Sequence, residues 1–125
     1  GEIPVKNQTY RMTMLFDFYG DILTERQREL FDLYYNEDLS LAEIAENCGI
    51  SRQGVRDVIV RAEAAMNELE DKTGLLKRFM RMQDSVDAIV AAANEIKTIN
   101  YRQYENHRLE ELADSIIAGA GVLKE

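Results

Sequence analysis

The chain has 125 residues, with 15 Lys and Arg against 23 Asp and Glu, a formal net charge of −8, one cysteine, one histidine and one proline. One cysteine allows no internal disulfide, no stretch approaches the roughly 20 apolar residues of a membrane span, and the start of the chain lacks the apolar region of a signal peptide. A cytoplasmic protein with one domain, or one domain and an extension, is expected.

Strand signals are nearly absent, and Ala, Leu, Glu, Arg and Gln dominate, so an all-α chain is expected. Residues 1–8 are polar and hold Pro4; they read as an unstructured lead-in. Over residues 9–19, Tyr10, Met14, Leu15 and Phe18 suit an amphipathic helix ended by Gly20. Thr24 caps the next helix, with Gln27 three residues on as the reciprocal partner of a capping box. That helix buries Leu30, Phe31 and Tyr34 and stops in the polar loop 36–38.

Residues 40–61, SLAEIAENCGISRQGVRDVIVR, organise the chain. Ser40 and Glu43 repeat the capping-box spacing. Leu41, Ile44 and Ala45 share one helical face. Gly49 is where a left-handed turn is cheapest, since it has no Cβ to clash, and Ile50 can pack back onto the helix it has left. Ser51 is a second cap, and Val55, Val58, Ile59 and Ala62 give the following helix its apolar stripe. Two helices joined by a short Gly-containing turn form a helix-turn-helix, whose second helix points its first residues into the DNA major groove. Here those residues are Arg52, Gln53 and Arg56. No breaker follows before Gly74, so this helix is expected over 52–72, with Ala64, Ala65, Met66 and Leu69 on its apolar side.

Gly74 divides the chain into residues 1–73 and an extension, 74–125. In the extension Leu75, Leu76, Phe79, Met82, Val86, Ile89, Val90, Ala93 and Ile96 recur at three- and four-residue steps. A further helix is expected over 104–118 with Leu109, Leu112, Ala113, Ile116 and Ile117, and the last seven residues read as a frayed end. Two amphipathic helices with little else to cover them invite pairing with a second copy, and a homodimer is expected.

These residues carry a resemblance. LTERQRELFDLYY and SLAEIAENCGISRQGVRDVIVRA, together 23 to about 66, resemble region 4 of bacterial sigma factors, which reads promoter DNA. The YRMTMLFDFYG and ISRQGVRD runs, and most of the chain around them, are similar to the YlxM family. Those small bacterial proteins are usually encoded beside the signal recognition particle genes. The resemblance implies a DNA-binding regulator linked to that pathway, an all-α fold with a sigma-region-4-like helix-turn-helix, and a C-terminal helical extension. It also implies an alternative, a non-catalytic accessory protein that binds the particle's RNA or protein components. Gene neighbourhood implies a process and no mechanism.

By the same resemblance Arg52, Gln53 and Arg56 fall on base- and backbone-contacting positions and Arg61 on a basic position further along; a DNA-binding reading then has Ser51 and Arg61 steady the backbone. Arg grips guanine bidentately and Gln does the same for adenine. Two departures stand out. Asp57 replaces the usual Gln, and Gly54 replaces a charged residue at a cost of about 1 kcal/mol to the helix. Residues 24–70 hold 11 acids against 5 arginines, net −6, whereas phosphate binding favours basic surfaces. A second reading therefore keeps the unit as a scaffold whose arginines pair with neighbouring acids.

Other candidates are weaker. Thr24, Arg26 and Arg28 open a helix whose N-terminus can hold a phosphate, or are a cap and a solvated face. Lys72, Lys77, Arg78 and Arg81 form a basic run suited to nucleic acid or an acidic partner, or simply a solvated face. Tyr101 and Tyr104 flank Arg102 and read as partly buried hinge aromatics sooner than as base-stacking residues. A metal centre needs three or four ligands and a nucleophile needs an activating base. With Cys48 and His107 as the sole residues of their types, no catalytic residue, metal or cofactor is expected.

Overall fold

The computed structural model describes residues 6–124, with side chains described from Thr9 onward. Among the described residues the chain is all-α: α1 Lys6–Tyr19, α2 Glu25–Tyr35, α3 Leu41–Cys48, α4 Arg52–Thr73, α5 Leu75–Ile99 and α6 His107–Val122. A short 3₁₀ turn, Gly20–Ile22, follows α1, and a π-turn, Asn100–Tyr104, follows α5. Two compact units result, Gly1–Leu76 and Lys77–Glu125.

Residues 1–5 of the expected lead-in lie outside the described residues, but from Lys6 the backbone is already helical. The buried stripe of α1 is Met12, Leu15 and Tyr19, while Tyr10 and Phe18 are exposed. Tyr19 displaces them because its hydroxyl is satisfied inside, donating to Glu70 Oε1 at 2.7 Å and lying 2.6 Å from Thr73 Oγ1. Burial pushes the Tyr19 phenol above its ordinary value. Glu70 is itself buried, and the same oxygen accepts from the Leu76 N–H at 2.9 Å. Such bonds offset the desolvation of a carboxylate removed from water.

In the first unit α1, α2 and α3 all pack on α4, which runs through the bundle as its spine. One cluster gathers Met12, Leu15, Tyr19, Leu23, Phe31, Ala62, Met66 and Leu76. Phe31 is fully buried, stacked on Phe16 with centroids 4.8 Å apart and tilted against Tyr35 at 4.5 Å. A second cluster joins Leu30, Leu41, Ile44, Ala45, Val55 and Ile59, so α3 is held between α2 and α4.

The second unit is a hairpin of α5 and α6. Bonds between the helices run in antiparallel order: Gln83 to the Leu123 carbonyl at 3.4 Å, Asp87 to Lys124, and Lys97 to Glu110 and Asp114 at 3.4 and 2.7 Å. The Asp114 bond, with Glu110 adding to it, raises the Lys97 pKa. Between these bonds Val86 and Ala93 of α5, Asn100 at the start of the π-turn, and Ala113 and Ala120 of α6 are buried. The turn is clamped by Asn100, whose side chain donates to the Asn106 carbonyl at 2.8 Å and accepts from the Asn106 N–H at 2.9 Å.

Two expectations about this half are corrected. α6 starts at His107 because the π-turn, Glu105 at φ 49° and the Asn106 cap come first. It then runs through Gly119 and Gly121 to Val122, because burial of Ala120 outweighs the poor helix propensity of the glycines. Tyr101 and Tyr104 are not partly buried hinge aromatics: they are 79% and 64% exposed, since the clamp is made by Asn100 instead.

Candidate nucleic-acid interface

The helix-turn-helix is set by three local devices. Ser40 Oγ accepts from the Glu43 N–H at 3.1 Å and Glu43 Oε1 accepts from the Ser40 N–H at 3.1 Å, closing the capping box that starts α3. The latter bond holds the Glu43 carboxyl below its usual range. Gly49 ends α3 in the left-handed region at φ 68°, and the Ile50 N–H then bonds back to the Ala45 carbonyl at 3.2 Å. Ser51 Oγ accepts from the Gly54 N–H at 2.9 Å and starts α4. Each cap contributes about 1 kcal/mol.

α4 turns Val55, Ile59, Ala62 and Met66 into the core. Its solvent side presents two adjoining ridges at four-residue spacing, Arg52–Arg56–Val60 and Gln53–Asp57–Arg61, all exposed. Among the described residues no carboxylate forms an ion pair with Arg52, Arg56 or Arg61. Gln53 donates from Nε2 to Asp57 Oδ1 at 2.9 Å. Neither that bond nor the exposed Val60 (43%) was read from the sequence; the four-residue step from Gln53 to Asp57 is the signal for the former.

The placement of acids bears on the negative charge of this region. Glu63 is half-buried and accepts from the Tyr35 hydroxyl. Burial, then Glu63, pushes the Tyr35 phenol far up. Tyr34 is also raised by burial and by Glu63, with the Arg56 charge opposing. Glu70 lies in the core, and Glu68 pairs with Lys72 at 3.1 Å. Asp57 is therefore the one acid on the two ridges.

The remaining candidates are dispersed. Thr24 Oγ1 accepts from the Gln27 N–H at 3.1 Å and so is occupied as a cap. Arg28 lies 3.9 Å from Asp21, both exposed, while Arg26 is exposed on the same turn. Lys72 sits in the last turn of α4; Lys77, Arg78 and Arg81 sit on the first two turns of α5, all exposed. Cys48 is a free thiol and His107 pairs with Glu111 at 3.0 Å on the surface. Among the described residues no three His, Cys, Asp or Glu side chains converge to hold a metal ion, and no helix is long and apolar enough to cross a membrane.

Comparison with known proteins adds to this geometry. A family model described as "Putative helix-turn-helix protein, YlxM / p13 like" matches residues 6–114. A UPF0122 protein of Thermoanaerobacter sp. (strain X514) is 50% identical over 78 residues, covering 62% of this chain and 67% of that relative. One from Acetivibrio thermocellus is 36% identical over 116 residues, covering 87% of this chain and 99% of the relative. One from Bacillus thuringiensis (strain Al Hakam) is 41% identical over 109 residues, covering 87% and 94%.

Proposed function

We propose that this chain, which belongs to the UPF0122 family of YlxM- and p13-like helix-turn-helix proteins, is a non-catalytic cytoplasmic regulator that binds DNA through α4. Arg52, Gln53 and Arg56 enter the major groove, and Ser51 and Arg61 meet the backbone. In this reading residues 1–73 are the reader, and residues 74–125 join two copies into a homodimer, so that two readers act together. The observation that supports it most is the solvent face of α4, where arginines with no ion pair among the described residues stand on a capped helix after a left-handed glycine turn. Such side chains can leave water for phosphate or guanine without first breaking an ion pair.

One observation favours a second reading. Residues 1–76 carry 15 acids against 8 bases, and this net −7 opposes long-range attraction to DNA. An accessory protein of the signal recognition particle that touches its protein components tolerates that charge better, whereas its RNA meets the same opposition as DNA unless shape selects it. Gel shifts across a salt series separate the two, with DNA from upstream of the chain's own operon beside the particle RNA. DNA binding that weakens with salt, and that loses about 1–3 kcal/mol and sequence preference in each of Arg52→Ala and Arg56→Ala, supports the first reading. Binding to the RNA alone supports the second. If both variants leave every interaction unchanged, α4 is not the reader.

A further inference from the structure

Each helix of the C-terminal hairpin carries two stripes. The buried one joins the helices to each other. That seam also takes in Gln83, Val90 and Lys97 of α5 and Glu110 and Ile117 of α6, all half-buried. One position ahead of seam residues, Met82, Ile89 and Ile96 on α5 and Leu109, Leu112 and Ile116 on α6 remain 39–48% exposed. On antiparallel right-handed helices, the residue preceding each seam residue turns to the same side of the pair. The six side chains therefore share one face, which Ile99 and Leu123 extend. The residues that follow the seam turn to the opposite face, and there stand Asp84, Asp87, Asn94 and Asp114, all exposed. One side of the hairpin is apolar and the other polar.

We propose that this apolar face docks the same face of a second copy of the chain and closes a four-helix bundle. The proposal rests on the homodimer of the reading above and assigns it a surface. Three observations select a second copy as the occupant. Every helix of a four-helix bundle needs two apolar stripes, one for each neighbour, and both α5 and α6 have two. A two-fold related hairpin supplies two more antiparallel helices with matching stripes, in a self-complementary contact.

Area agrees with this. Eight side chains at 39–51% exposure leave on the order of 700 Å² of apolar surface, more than most monomers show and near the roughly 800 Å² that each partner gives to a stable interface. Charge agrees too. Residues 77–125 hold 7 bases and 8 acids, so two copies of this half meet almost without repulsion, whereas residues 1–76 at net −7 repel their like.

Sedimentation velocity of the full chain tests the assignment with two charge-matched variants. Ile89→Glu with Ile116→Glu places carboxylates on the apolar face, and Ala91→Glu with Ala118→Glu places the same number on the polar face. Expected is a wild-type dimer, a polar-face variant that stays dimeric, and an apolar-face variant with unchanged far-UV circular dichroism and a dissociation constant raised at least about 100-fold. If the apolar-face variant loses helix, Ile89→Ala with Ile116→Ala replaces it, with a rise of at least about 10-fold expected. A dimer that survives a folded apolar-face variant overturns this face and leaves the homodimer standing on another surface. A monomeric wild type overturns both, and the gel shifts judge DNA binding independently.

Discussion

Replacing Gly49 by alanine isolates the backbone term that sets the turn before the reader helix. Gly49 lies at φ 68°, and a Cβ built there meets nothing within 4 Å, so no clash or new contact contributes. The left-handed conformation costs an L-residue with a Cβ roughly 1–2 kcal/mol. Loss of glycine's extra freedom in the unfolded chain gives back about 0.4–1 kcal/mol. The net expectation is a destabilisation of about 1 kcal/mol, which lowers the melting temperature of a unit of this size by about 4–8 °C. Thermal unfolding followed by far-UV circular dichroism at one protein concentration measures it. Gly49→Asn is expected to lose less, because Asn tolerates the left-handed region. Gly121, inside α6 with equally open space, is expected to gain about 0.5 kcal/mol on conversion to alanine. A neutral or stabilising Gly49→Ala would refute the strain argument, and with it the account of how α3 hands over to α4.

Phe31→Ala empties the space between Phe16 and Tyr35 and is expected to cost about 3–5 kcal/mol in urea unfolding; a loss below about 1 kcal/mol would mean the core collapses to fill it. Glu70→Ala strands the Leu76 N–H and the inner bond of the Tyr19 hydroxyl. About 2 kcal/mol or more should be lost, and native-state hydrogen exchange should show the Leu76 amide among the most affected. The Glu43 carboxyl lies below its unfolded value of 4.5, so its contribution is present above pH 4.5 and is lost as pH falls through the lowered folded value. Melting temperature should therefore drop less steeply between about pH 5 and pH 3 in Glu43→Gln than in the parent; identical slopes would remove Glu43 from the acid response.

What could be read from residues alone divides by range. Both capping boxes, the left-handed glycine at 49, the break at Gly74, the Ser51 cap and the length of α4 follow from contacts within four or five residues, and the structure has them at those positions. The solvent exposure of Arg52, Gln53 and Arg56 follows from the same helical phase. The errors arise where a distant partner decides. Tyr19 replaces Phe18 in the core because Glu70 and Thr73, more than fifty residues away, satisfy its hydroxyl. Tyr101 and Tyr104 face water because Asn100 makes the turn's internal bonds. In α5 and α6 the three- and four-residue steps merge two stripes into one list, and only the antiparallel bonds separate the stripe between the helices from the stripe left outside.

Lys97 and Asn100 place polar groups in a seam that alanine and valine otherwise fill, at some loss of stability. Sliding α6 by seven residues along α5 would exchange Glu110 and Asp114 for Ile117 and Gly121 opposite the ammonium group, and would pull Asn106 away from Asn100. The small, repetitive side chains nearby would accept that slip almost as well as the native alignment. A cation that finds its carboxylates in one alignment alone acts as an index mark, making misregistered assembly costly where shape alone would permit it.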